Sequence, residues 1–165
     1  MSFQKVLVRA GIALGVVLSA VLLLFFIAPQ GEAVTVSNQQ YSINVSATSG
    51  WQGAILIPAG FRYSISAPQS GQYWTVDYRS LGKTAAFGYP EGQVWGGNPS
   101  CKYAQGDPYA MLLVKFNGDV QRYDDFDGLS SSFDRVVSFR INDANNCLED
   151  NAGALPVTVT VTPAG

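Results

Sequence analysis

Asn142-Asp143-Ala144-Asn145-Asn146-Cys147-Leu148-Glu149-Asp150-Asn151-Ala152-Gly153 gathers oxygen donors in one short loop between two apolar runs. Asp143, Asp150 and Asn151 each offer side-chain oxygens, and a curled backbone adds carbonyls. Hard cations, calcium above all, take roughly 6 to 8 such oxygens at once. The plainer reading of the same residues is a polar turn whose Asp and Asn side chains bond their own backbone. A second acidic group, Asp124-Asp125-Phe126-Asp127-Gly128, misses the alternate spacing and distant Glu of an EF-hand loop and reads as a solvated turn.

The chain has 165 residues and no histidine, which excludes Ser-His-Asp and Cys-His catalysis, histidine metal sites and histidine pH switching. The two carboxyls of a glycosidase stand about 5 to 9 Å apart across a cleft, and no spacing of acids here points to such a pair. The chain is therefore read as non-enzymatic. Cys101 and Cys147 are its two cysteines. Outside the cytoplasm they can form a disulfide and inside it they stay thiols; a bridge needs Cα atoms about 4.4 to 6.8 Å apart, which spacing alone does not fix. A formal net charge of −2 with no basic stripe argues against a nucleic-acid partner.

The elements that must position the acidic loop follow an apolar segment. Residues 10–28 carry no charge, and at about 1.5 Å per residue a helix of that length spans most of a ~30 Å hydrocarbon core. That is longer than the core of a cleavable signal, so an uncleaved anchor is expected, although Gly31-Glu32-Ala33 offers a small-x-small site. Lys5 and Arg9 precede the segment, which places residues 1–9 in the cytoplasm and the C-terminal domain in the periplasm of a bacterial inner membrane. Gly11, Gly15 and Ser19 form a small-residue row on which a partner helix in the lipid bilayer can pack. Residues 29–33, with Pro29 and Gly31, read as a linker.

From 34 to 165 the chain reads as short strands: 34–36, 41–45, 54–57, 61–65, 73–78, 111–116, 136–141 and 157–161. Val157-Thr158-Val159-Thr160-Val161 is a clean period-2 run with valines on one face. About eight such strands separated by Gly, Pro, Ser, Asn and Asp predict a mainly β domain, a jelly-roll-like β-sandwich preceded by one transmembrane α-helix. The Gly-rich stretch from Ser80 to Asp107 is too long to be a plain connection and is expected to be functional or separately packed. Trp51, Trp74 and Trp95 either stack on sugar rings or fill core, with Trp95 expected to be exposed. Asn44-Val45-Ser46 matches a glycosylation sequon but lies within a predicted strand and is set aside.

The Asn142–Gly153 loop resembles the calcium and sugar loop of the PA-I-type galactose-binding bacterial lectins, small calcium-dependent β-sandwich proteins. In that family an Asn-Asp pair opens the loop. The Asp, a backbone carbonyl four residues on, and adjacent amide side chains seven and eight residues on hold the ion, with Gly ten residues on. Asp143, Cys147, Asp150, Asn151 and Gly153 fall at those offsets. Gly50–Gly60 is similar to the family's early strand and Gly turn, Tyr109–Phe116 to its central buried strand, and the resemblance spans roughly Val34 to Pro163.

The resemblance implies a calcium site at Asp143, Cys147, Asp150 and Asn151, with Asp150 supplying a carboxylate where the family has an amide. Two departures accompany it. The family grips galactose with a His and a Gln, and this chain has no His; Asn98 stands near its place, so Asn98, Trp95 and Asp143 are the candidate sugar contacts. A further backbone ligand after the mid-chain strand has no distinct counterpart between Ser80 and Gly88. The expectation is a membrane-anchored accessory or scaffold subunit of a photosynthetic, respiratory or envelope complex, its partners being membrane protein subunits. The alternative is an anchored calcium-dependent galactoside-binding lectin whose partner is carbohydrate.

Overall fold

The computed structural model describes residues 38–90, 99–125 and 127–164. The expected membrane helix at 10–28 with Gly11, Gly15 and Ser19, the linker at 29–33, the run at 34–36, Trp95 and Asn98 lie outside the described residues. Among the described residues no helix is long and apolar enough to cross a membrane.

Among the described residues nine strands form two antiparallel sheets: β1 (Gln39–Ser46), β2 (Gln52–Ile57), β3 (Phe61–Ser66), β4 (Trp74–Thr75), β5 (Leu112–Phe116), β6 (Asp119–Arg122), β7 (Asp127–Ser130), β8 (Arg135–Ile141) and β9 (Ala152–Pro163). One sheet has the order β1-β9-β3-β7 with β4 on the end of β9, and the other the order β2-β8-β5-β6. With the two-residue β4 set aside, first pairs with last, second with second-to-last, and so inward to β5 with β6. That nesting, one long hairpin wrapped over itself, is the jelly-roll order the sequence predicts.

Alternation puts Leu155, Val157, Val159 and Val161 of β9 against Val137, Phe139 and Ile141 of β8 and Leu112, Val114 and Phe116 of β5, all in one apolar cluster. Tyr63 of β3 meets Phe116 across the gap with ring centroids 5.2 Å apart. The strand around Val157–Val161 is longer than the period-2 run, since β9 is laddered to β1 from Ser46↔Ala154 to Gln39↔Val161. Pro156 is tolerated because the β3 ladder begins only at Thr158, leaving its missing donor without a partner strand.

The run at 73–78 departs from expectation. Only Trp74 and Thr75 pair as a strand, because the Asp77 carboxylate captures the Arg79 and Ser80 N–H groups (2.8 and 3.3 Å) and bends the chain into a turn. Trp74 is core, fully buried, with its indole N–H on the Ala85 carbonyl at 3.3 Å. Strands β6 and β7 were not expected. β6 returns from β5 through Asn117-Gly118, both at positive φ (46° and 112°), so that Phe116 faces Asp119 across a two-residue turn.

Candidate metal centre

β8 and β9 are both interior strands, one in each sheet, and residues 142–151 carry the chain from one to the other. The acidic loop is therefore anchored at both ends by interior strands. At its entry Asn142 is fully buried and acts as a knot. Its side-chain oxygen accepts the Ala104 N–H at 2.8 Å, and its amide donates to the carbonyls of Ala104, Asp107 and Pro108 at 3.1, 3.2 and 2.8 Å. Its backbone N–H bonds the Met111 carbonyl at 2.7 Å. The first residue of the Asn-Asp pair thus ties down a neighbouring loop.

That neighbouring loop is also held covalently. Cys101 and Cys147 form a disulfide with Cα atoms 5.7 Å apart, and the Ala144 N–H reaches the Cys101 carbonyl at 2.5 Å. The two sulfurs and an Asp143 carboxylate oxygen all lie within 4.8 Å of one another. Because both sulfurs are spent in the bridge, the donors left at the site are hard oxygens.

Asp143, with 1 % of its surface exposed, uses Oδ1 to accept the Ala144 N–H at 3.1 Å. Asp150 sits at the end of the 3-10 turn Asn145–Asp150, its backbone carbonyl accepting the Tyr78 N–H at 2.9 Å. Asn151, also buried, donates its amide N–H to the Ala47 carbonyl at 2.9 Å. Each then has one oxygen to spare: Asp143 Oδ2, Asp150 Oδ1 and Asn151 Oδ1 are buried with no hydrogen-bond partner. An unmatched buried polar atom costs about 1 to 3 kcal/mol, so orphaned acceptors on three residues of one loop favour a donor or a cation among them.

The electrostatics agree. The Asp143 carboxyl is raised from 3.8 to about 7, by burial above all and in a lesser part by the Asp150 charge, against the pull of the Asn151 amide, the Ala144 N–H and Arg140. Nearby Tyr109 is raised by burial and by the Asp143 charge, and Lys102 lies over its ring at 5.1 Å. A buried Asp143 carboxyl that burial holds against ionisation is what a nearby dication would relieve. Carboxylate and amide oxygens, as on Asp143, Asp150 and Asn151, are the donor type that calcium takes.

Of the candidate residues, Asp143, Asp150 and Asn151 each carry a buried oxygen without a hydrogen-bond partner, and the disulfide joins Cys101 to Cys147. Gly153 follows with φ of +92°, and a Cβ there would lie 2.1 Å from the Tyr73 carbonyl, so only glycine lets β4 cross this point. The mid-chain segment that reaches the loop is Asp77–Arg79, through Tyr78, upstream of the Ser80–Gly88 window. Sequence reading also missed Arg140, whose outward phase on β8 suggests solvent yet which is wholly buried.

No family model matches the chain, and no curated protein matches it. Among solved structures it is similar to one described as "EclA N-terminal domain; PllA-like lectin". The identity is 16%, the match covers 74% of this chain and 95% of that chain, and the TM-score is 0.49.

Proposed function

We propose that this domain is a non-enzymatic calcium-bearing module and that its calcium, held by Asp143, Asp150 and Asn151, serves to bind carbohydrate. The observation that carries the reading is the set of three orphaned buried oxygens on one loop. Three side-chain ligands leave a calcium ion of roughly 6 to 8 coordination open to backbone carbonyls and to vicinal hydroxyls of a sugar. The likeness of the loop to that of the PA-I-type lectins favours the same use. Without a histidine, contacts beyond the ion must differ from that family's, so the preferred sugar need not be galactose. Residues 10–28 would hold the module at a membrane surface.

A second reading keeps the calcium as a rigidifying ion in an accessory subunit that docks on membrane proteins. It is favoured by Leu56 and Val136, which face each other across β2 and β8 and are 51% and 42% exposed. An exposed apolar pair at the sheet edge that β2 forms among the described residues suits a protein partner.

Gentle detergent extraction followed by chromatography on immobilised galactose and a panel of other sugars, with calcium and then with chelator, separates these. Retention that chelation releases supports the carbohydrate reading. Calcium binding by titration with no retention on any sugar sinks it. Co-migration with membrane proteins that is lost in Leu56→Asp and Val136→Asp supports docking.

A further inference from the structure

We infer that Arg140 is the positioning residue of this metal site: its guanidinium fixes the backbone entry of the loop so that the Asp143 carboxylate presents its free oxygen to the ion. The inference rests on the calcium reading above and adds to it a residue that the loop's own sequence does not contain.

Arg140 leaves β8 on the face of the sheet opposite the apolar core, yet none of its surface is exposed. Its Nε donates to the Ile141 carbonyl at 3.1 Å, one terminal nitrogen to Asn145 Oδ1 at 2.9 Å, and the other to the Asp143 carbonyl. The three acceptors are met by three separate nitrogens of one rigid plane, whereas an ammonium would have to reach all of them from a single nitrogen. Above the plane the Tyr103 ring lies 4.0 Å from the guanidinium carbon, and the Trp51 ring lies 5.5 Å away. Trp51 is itself fixed, edge-to-face with Tyr103 at 5.6 Å and beneath Lys115 at 4.6 Å. Tyr103 comes from the loop that the disulfide joins to Cys147, so the cage closes on the metal loop from outside.

Among the described residues the one ion pair is Arg122 with Asp124. The Arg140 charge is therefore held by neutral oxygens and ring faces, a costly arrangement unless the fixed geometry is used. What it fixes is the stretch Asp143–Asn145. The exit of the loop is pinned separately, by Tyr78 on Asp150 and by Ala47 on Asn151. With both ends held, the three free oxygens are set in place before an ion arrives, and the ordering cost of binding is correspondingly small.

Charge and position predict opposite signs. A buried cation beside a dication repels it, so if Arg140 acted only as a nearby charge, its removal would tighten calcium binding. If it positions the loop, removal weakens binding. Calcium is titrated calorimetrically into the full chain, well below its melting temperature, for wild type, Arg140→Lys, Arg140→Gln, Asn145→Ala and Val159→Ala. Arg140→Lys keeps the charge and loses the fork, and Arg140→Gln loses both. Each is expected to weaken calcium roughly 10- to 100-fold, the usual loss for an outer partner of a metal ligand.

Asn145→Ala, at an exposed position, weakens it in the same direction by a smaller factor. Val159→Ala in the core lowers the melting temperature and leaves the affinity unchanged, which separates positioning from general stability. Unchanged or tighter binding in Arg140→Gln overturns the inference. Where the Arg140 variants do not fold, unchanged affinity in Asn145→Ala overturns it. A wild type that binds no calcium overturns the calcium reading itself.

Discussion

Two acidic regions lie close in sequence and differ in every property that matters for binding. At Tyr123–Asp125 the Asp124 carboxylate is gripped by the Arg122 guanidinium through two bonds, at 3.1 and 2.9 Å, and both side chains stand in water. In the Asn142–Gly153 loop Asp143 is buried, its second oxygen has no partner, and the nearest cation, Arg140, is turned to the backbone carbonyl. Each carries three acidic residues, within five positions at 124–128 and within twelve at 142–153. What distinguishes the second is acceptors withdrawn from water and left unmatched, and that is a property of the fold around them.

The strongest test of the contrast is pH. The Asp143 carboxyl is raised from 3.8 to about 7, so the folded state without calcium holds a proton that the unfolded chain has released. Its burial carries no penalty below the unfolded value. Between about pH 4 and pH 7 the penalty grows, and above 7 it is complete, at most roughly 4 kcal/mol. In chelator, Asp143→Asn should therefore gain stability relative to wild type as pH rises from 4 to 8. Urea unfolding of both proteins at several pH values reads this directly, and a difference that stays flat would mean that Asp143 is not held in a carboxylate-hostile site.

Calcium comes next in size. At a concentration 100 times its dissociation constant a ligand stabilises the folded state by about 2.7 kcal/mol, which for a domain this size is several degrees in melting temperature. Asp143→Asn and Asp150→Ala should abolish that rise, and Asp124→Asn should leave it intact. A rise that survives in Asp143→Asn, or disappears in Asp124→Asn, would reverse the assignment of the two regions. The same titration carries a proton signature. Because calcium displaces the proton from Asp143, its apparent affinity should climb between pH 6 and pH 8.

The parts of this fold that can be read in the sequence are those where burial alternates without interruption. Val157–Val161 shows its face through valine and threonine alone, and the buried run at Leu112–Phe116 is equally plain. β6 is half-solvated and short, and its surest sign, Asn117-Gly118 as a two-residue hairpin turn, is one that hydrophobic periodicity does not detect. At the site, Asp143, Asp150 and Asn151 could be read as neighbours because all three come from one short loop.

Arg140, the Asn142 knot and the Tyr78 contact were not, since each depends on a partner 35 or more residues away or on a loop folded over a strand that alone would face solvent. The disulfide was open between two readings for the same reason. Its half-cystines are separated by 46 residues, and only the placement of the two loops decides it.

The smallest effect belongs to the solvated turn, and its smallness is itself a check on the comparison. Arg122 and Asp124 meet in bidentate geometry, but with side chains 42% and 31% exposed, so water and salt screen most of their attraction. A double-mutant cycle with Arg122→Gln and Asp124→Asn should yield a coupling below about 1 kcal/mol, reduced further at high ionic strength. Neither variant should change calcium affinity. A coupling of several kcal/mol that resists salt would mean that this pair is desolvated in solution, and exposure would no longer separate the two acidic regions. A small, salt-sensitive coupling leaves burial without a partner as the property that sets the Asn142–Gly153 loop apart.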